Sequence, residues 1–174
     1  NPTHVLNHKW AGAMTMPREI KLVGEQLYFV PIDEIKKYRK NEVSLGPMLI
    51  NGSKRLSSGG DCYEMNIKFV PREANIFGVK LRIDYDEETV LSYNMQDKVL
   101  TFTRDKSGVG PKGECQTKVE LKDGILDLRI FMDECSVEIF INNGQKVMTG
   151  LIYPSKDSKG IELFSNGECE ILSL

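Results

Sequence analysis

From Gln26 onward, apolar and polar residues alternate with a period of two, and Gly, Asn, Asp and Pro break the alternation at short intervals. Period two sends successive side chains to opposite faces of an extended chain, so the pattern predicts antiparallel strands joined by turns. The predicted strands are Tyr63–Val70, Phe77–Tyr85, Val90–Asn94, Val99–Arg104, Gln116–Leu121, Leu126–Asp133, Ser136–Asn142, Lys146–Tyr153, Gly160–Phe164 and Cys169–Leu172, with a polar Gly-rich loop over 107–113. Helix is predicted at one place, Pro31–Arg39. There Pro opens the turn, acids come early, bases come late, and Ile32, Ile35 and Tyr38 share a face that would pack on the sheets. Many short strands with few crossover helices favour an all-β fold, a two-sheet antiparallel β-sandwich of jelly-roll or lectin-like type, over a parallel α/β sheet.

The most legible stretch is Leu126–Tyr153. Asn143-Gly144 between two strand runs is a strong type I′ hairpin signal, and it pairs Asn142 with Gln145. If Glu134-Cys135 is the preceding two-residue turn, Leu128 faces Ile141, Ile130 faces Ile139 and Met132 faces Val137, so the apolar sets of adjacent strands coincide. The same register gathers Phe131, Phe140 and Val147 with Arg129, Glu138 and Thr149 on the opposite face. That face is too apolar for open water. The expectation is a cover, supplied within the chain by the short helix or the N-terminal arm, or from outside by another domain or a second subunit.

Composition narrows the function classes. The chain has 174 residues, enough for one domain that buries roughly 70% of the surface its unfolded form exposes. Its 23 basic and 25 acidic residues are scattered, so no face is built to follow a phosphate backbone and nucleic acid is not an expected partner. No apolar run approaches the roughly 20 residues needed to cross a bilayer, so no membrane partner is expected either. The opening Asn1-Pro2-Thr3-His4 has neither an initiator Met nor a charged-then-apolar signal region, and reads as the start of an excised piece. Cys62, Cys115, Cys135 and Cys169 have no CxxC spacing, and His4 and His8 lie far from them, which argues against a zinc site. Two disulfides are open to them in three pairings. The phase of Cys135 with Val137, Ile139 and Ile141 favours instead reduced, mostly buried thiols and an intracellular source.

Two stretches carry a family resemblance. One is Trp10-Ala11-Gly12-Ala13-Met14-Thr15-Met16-Pro17-Arg18-Glu19; the other runs from Leu128 through Asp133-Glu134-Cys135-Ser136 to Asn142-Asn143-Gly144, followed by Thr149 and Ile152-Tyr153-Pro154. The first resembles the segment that leaves the β-propeller in glycoside hydrolase family 32 fructosidases, and the second is similar to the hairpin near the end of that family's C-terminal β-sandwich. Cys135 departs from the resemblance, standing where Ser is more usual. The resemblance implies residues 1–25 as propeller-exit segment and linker and residues 26–174 as the sandwich domain. It also implies a parent that hydrolyses terminal β-fructosides such as sucrose, sucrose phosphate, inulin or levan. The partners it implies are the parent's own N-terminal propeller and, through assembly, a homo-oligomer. It further implies three propeller motifs, Asn-Asp-Pro-Asn with a nucleophilic Asp, Arg-Asp-Pro with a second Asp, and Glu-Cys-Pro with an acid. None of the three occurs in this sequence.

The remaining candidates for chemistry are therefore weighed without a motif. A retaining glycosidase needs two carboxyl groups about 5 Å apart, and Asp133, Glu134 and Glu138 are the groups to consider. Ser136 replaces the Pro that would follow Glu134-Cys135 in the acid motif, so these residues read as turn and strand. The acidic run Asp84-Tyr85-Asp86-Glu87-Glu88 lacks the spacing of a calcium loop and reads as a solvated turn. Ser53, Ser57 and Ser58 have no His in any motif, and Trp10 alone is weak support for sugar stacking. Arg18-Glu19, Trp10 and the histidines read as packing or terminus. The expectation is a chain without catalytic, substrate-binding or metal-binding residues and without a cofactor, acting as a non-catalytic module. A lectin-like carbohydrate-binding module is the alternative, and it would require two or more exposed aromatics with polar neighbours on a sheet face.

Overall fold

The computed structural model describes residues 12–174. Trp10, His4 and His8 lie outside the described residues. The fold is built outward from two adjacent strands, β9 (Leu126–Asp133) and β10 (Ser136–Ile141), which pair antiparallel with Leu128 opposite Ile141, Ile130 opposite Ile139 and Met132 opposite Val137. All six side chains are buried, because the register that satisfies the backbone also puts every apolar residue of that set on the inner face. The next strand, β11 (Lys146–Leu151), pairs with β10 across the turn at 142–145. Asn142, Asn143 and Gly144 all have positive φ, which is why the turn carries Asn and Gly. Asn142 is itself buried and pins the turn. Its Nδ2 donates to the Glu120 carbonyl at 2.8 Å, and its Oδ1 accepts from the Asp127 N–H.

The remaining strands are β1 (Arg18–Val23), β2 (Gln26–Pro31), β3 (Met48–Arg55), β4 (Tyr63–Pro71), β5 (Ile76–Asp84), β6 (Glu87–Asn94), β7 (Val99–Lys106), β8 (Glu114–Lys118) and β12 (Gly160–Ser173). One layer is β11-β10-β9-β4 and the other is β5-β6-β7-β8. Strand β12 joins them. Its first half pairs with β5 and its second half with β4, and β3 runs along its other side throughout. The change of sheet takes place at an irregularity between Ser165 and Cys169, where the Ser165 hydroxyl bonds the Ile50 and Gly167 carbonyls. This polar interruption is why the sequence predicted two strands, Gly160–Phe164 and Cys169–Leu172, in place of one. The result is a sandwich whose layers run into one another as a nearly closed barrel. Its core is centred on Ile67, Phe69, Phe77, Leu91, Leu128 and Ile130.

One end of the barrel is closed by a buried cation. Arg82 is 2% exposed and has a φ of 51° where the β5 register shifts. Its guanidinium donates to the carbonyls of Asp61, Asp133, Glu134, Ser155 and Ser158, which come from three separate loops.

Three expectations need correction. The predicted helix is a 3₁₀ segment, Asp33–Tyr38, with no buried residue; Tyr38 is 77% exposed, and this end is held electrostatically through Arg39 rather than by an apolar face. The four cysteines are free, but they are not mostly buried. Cys62 and Cys115 are exposed, Cys135 is half-buried in its turn, and only Cys169 is fully inside, where burial pushes its thiol up to about 12. Cys135 escapes the apolar phase because it belongs to the turn, not to β10. Strands β1, β2 and β3 were not predicted at all. The first two pair with each other as a separate two-stranded sheet.

Candidate functional site

The outer face of β9–β10 holds a network of long-range side-chain contacts, and its members alternate with the buried core set. Phe140 lies opposite Arg129 and Val147, and Glu138 lies opposite Phe131 and Thr149, as the hairpin pattern predicts. The cover for this face comes from within the chain. Residues 16–39 run over it as a strap: Met16-Pro17, the β1–β2 hairpin, the 3₁₀ segment and Arg39.

The strap is clamped at both ends. At its start, the Met16 N–H donates to Glu138 Oε1 at 2.6 Å, and Arg18 Nη2 donates to Glu138 Oε2 at 2.5 Å and to Thr149 Oγ1 at 2.9 Å. Glu138 is 7% exposed, so its charge is held where an unpaired carboxylate would be costly. At its end, Arg39 forks onto Glu64 through Nε at 2.7 Å and Nη2 at 2.5 Å, and Arg129 Nε donates to the same carboxylate at 2.8 Å. Between the clamps the aromatic pair continues the contact. The Arg18 guanidinium lies 5.3 Å from the Phe140 ring centroid, Phe140 meets Phe131 edge-on at 5.7 Å, and Arg129 lies 4.9 Å from the Phe131 ring. Cation and quadrupole thus alternate across the face.

In its middle the strap touches the β10–β11 turn. The Phe29 N–H donates to the Gly144 carbonyl at 2.8 Å, and a Cβ on Gly144 would come within 2.2 Å of the Phe29 oxygen. Gly144 therefore serves twice, for its positive φ and for the close approach of β2. Tyr28 adds a contact with Lys122, whose Nζ lies 4.8 Å from the ring centroid and donates to the phenol oxygen.

The electrostatics follow from burial and pairing. Burial would raise the Glu64 carboxyl, but hydrogen bonds and charge from Arg39 and Arg129 outweigh it and hold it below the usual glutamate range. Glu87 behaves similarly, with burial outweighed by donors from Ser158 and Ser155. Tyr63, whose buried hydroxyl has no partner, is raised by burial.

The carboxylates considered for catalysis are not assembled into a pair. Glu138 has both oxygens engaged by the strap. Asp133 and Glu134 are exposed in the β9–β10 turn, where Asp133 Oδ1 accepts the Glu134 N–H. In the acidic run, Glu87 takes the Ser155 N–H and the Ser158 hydroxyl, and Glu88 pairs with Lys80 and Lys106. Ser53 and Ser57 are exposed and Ser58 is half-buried. Among the described residues no group of three or more His, Cys, Asp or Glu side chains is placed to hold a metal ion. Phe140 is 2% exposed and Phe131 half-buried, so this face offers no aromatic platform for a sugar ring.

The residues that matter at the strap, Arg18, Arg39, Glu64 and Arg129, form no linear motif; Arg18 and Glu138 are 120 positions apart. Only the excess of apolar residues on the outer face signalled that something must lie over it. Beyond the clamps, the hairpin is itself amphipathic. Register puts Leu22 opposite Leu27 and Ile20 opposite Phe29, and Ile20, Leu22 and Leu27 are 66, 68 and 45% exposed.

Comparison with known proteins places this arrangement. The family model described as glycosyl hydrolases family 32 C terminal matches residues 34–174. A levanase of Bacillus subtilis is 33% identical over 181 residues, which cover 95% of this chain and 27% of the levanase. A sucrose-6-phosphate hydrolase of Staphylococcus xylosus is 31% identical, over 88% of this chain and 32% of that protein. Among solved structures, an exo-inulinase from Aspergillus awamori superposes with a TM-score of 0.79 at 22% identity, covering 94% of this chain and 36% of its own. The chain thus spans about a third or less of the length of the curated relatives it matches.

Proposed function

The chain belongs to the C-terminal domain family of the family 32 glycosyl hydrolases, and from that premise we propose that it is a non-catalytic module that braces the catalytic part of a larger β-fructoside hydrolase. The parent would act on terminal fructosides such as sucrose, sucrose phosphate, inulin or levan, a substrate class that comes from the relatives and not from a site on this chain. In this reading residues 1–25 lead out of the catalytic propeller and residues 26–174 form the brace.

One observation carries the proposal: the β1–β2 hairpin is clamped to the sandwich at both ends of the strap, yet its own apolar side chains Ile20, Leu22 and Leu27 are left in water. A two-stranded hairpin is marginal by itself, and a rigidly held apolar face is a surface prepared for a neighbour. The catalytic domain is the neighbour proposed. The hairpin then transmits position, because the ion pairs that fix it to the sandwich also fix whatever it touches.

Sedimentation velocity of the chain tests this. Left without its neighbour, the hairpin face should drive reversible self-association with rising concentration, and a Leu22→Ser, Leu27→Ser variant should stay monomeric with an unchanged melting temperature. A wild-type chain that is monomeric at every concentration and binds no hydrophobic dye would overturn the proposal. In that case the exposed residues are single surface apolars and not a docking face.

A further inference from the structure

Between the strap and β3 little holds the chain in place. The Arg39 N–H donates to the Lys36 carbonyl, and the next backbone bond is that of the Leu45 N–H to the Leu174 carbonyl at 2.8 Å. From Lys40 to Ser44 every residue is exposed and none belongs to a helix or strand. Among the described residues, no backbone group of this connector is hydrogen-bonded. The chain bends at Asn41, whose φ is 55°. Lys40 opens the segment. Lys36 pairs with Asp33 and Arg39 with Glu64, which leaves the Lys40 ammonium without a partner among the described residues.

To be cut, a peptide bond must leave its surroundings and lie extended in a protease cleft, so burial and backbone hydrogen bonding decide where a folded chain is nicked. A protease with an acidic specificity pocket adds one requirement, a basic residue before the bond. Lys40 meets both conditions. Other basic residues are protected by the fold. Lys37 lies inside the 3₁₀ segment, and Lys54 and Arg55 pair with β12. Lys112 donates to the Gly108 carbonyl, and the N–H of Gly113, on the far side of its peptide bond, is held by Asp105. Lys156 and Lys159 lie in or beside the loop that Arg82 and Glu87 fasten through Ser155 and Ser158. Lys122 exchanges backbone bonds with Ile125.

We infer that the Lys40–Asn41 bond is a processing site for a protease that cuts after basic residues, and that the cut protein stays assembled. Hydrolysis adds water across the amide, leaving Lys40 with a carboxylate and Asn41 with a free amine. Both clamps reach across that cut. Arg18 and Arg39 belong to the piece before it, and their acceptors Glu138 and Glu64 belong to the piece after it. The Phe29 N–H on the Gly144 carbonyl is a third link of the same kind. The covalent joint and the clamps are therefore separable, since hydrolysis removes the first and leaves the second. This inference uses the connector and the clamps alone and stands independently of the bracing role.

The test is limited digestion of the whole chain with trypsin at neutral pH, with mass spectrometry and size exclusion run on the same samples. The first cut among the described residues should give one piece ending at Lys40 and one beginning at Asn41, and the two should elute together at the position of the intact chain. Lys40→Gln should slow cleavage between strap and sandwich at least tenfold, because the neighbouring bases Lys37 and Arg39 are held in the 3₁₀ segment and in the clamp. After the cut, a Glu64→Gln, Glu138→Gln double variant should let the two pieces elute apart. A first cut at Lys112 or Lys156, wild-type pieces that separate at once, or double-variant pieces that still elute together would overturn the inference. Lys40 is exposed and holds no part of either clamp, so its variant remains informative even if the double variant fails to fold.

Discussion

Arg18 and Glu138 meet at 2.5 Å across 120 residues of sequence, and the contact joins the first strand of a peripheral hairpin to the central strand pair of the sandwich. Among the described residues Glu138 has the Met16 N–H as its only other donor, so removing the arginine leaves a buried carboxylate half-satisfied. Arg18→Ala should destabilise the closed strap by about 1.5–3 kcal/mol, the range for hydrogen bonds to charged groups. Hydrogen exchange is the appropriate readout. Amides of β1 and β2 should lose protection while those of β9 and β10 keep theirs; a uniform loss would mean that the strap folds with the core and not onto it.

The inner register makes a separate prediction. Ile130 and Ile139 face each other at 0% exposure, and neither has room to be replaced by water. Ile130→Ala and Ile139→Ala should each cost about 2–5 kcal/mol in urea unfolding. They are adjacent, so the double variant should cost less than the sum of the two. Melting curves that do not move would contradict the placement of both residues.

Arg82 should be the most sensitive charged residue in the chain. Its five carbonyl partners come from three loops, and Arg82→Met would leave several of them without this donor in a buried place. A loss of about 3 kcal/mol or more is expected, since each orphaned buried group costs roughly 1–3 kcal/mol. Exchange at Asp133, Glu134 and Ser155–Ser158 should rise first. An unchanged unfolding curve would show that these loops hold their positions without the guanidinium.

The strap should also open in acid. Glu64 titrates below the ordinary glutamate value of 4.5 because Arg39 and Arg129 outweigh the effect of its burial. A carboxyl whose folded pKa is depressed gives its full contribution above the unfolded value and loses it as pH falls through the folded value. Strap stability should therefore be flat from about pH 7 to about pH 5 and decline only as the pH drops below the ordinary glutamate range. Glu64→Gln should lower the neutral plateau and flatten the acid limb. Glu87 titrates in the same direction and acts elsewhere in the fold, so the comparison must be read from β1 and β2 amides and not from global melting.

How much of this the sequence made legible follows from how local each signal is. The Leu126–Tyr153 region was readable to the residue pair, because turn chemistry at Asn143-Gly144 and alternation on both sides specify the same register. The apolar outer face was readable too, but not what covers it. Strands β1 and β2 escaped because they lie at the surface on a sheet of their own, and neither has the half-buried alternation that marks a core strand. Strand β3 escaped because Asn51-Gly52-Ser53 breaks its apolar run where it follows the irregularity in β12. The clamps could not have been found by spacing, since Arg39, Glu64 and Arg129 are brought together only by the pairing of β4 with β9 and by the course of the strap.

The central claim is that the chain braces and does not catalyse, and the most direct test is to incubate the purified chain with sucrose, inulin and levan and measure released fructose. Glu138 is committed to Arg18 and Met16, and Asp133 and Glu134 sit in an exposed turn, so these three carboxyls do not form a pair poised about a glycosidic bond. No fructose above the buffer control is the predicted result for all three substrates. Turnover by the chain that disappears in Glu138→Gln or Asp133→Asn would contradict the account at its root.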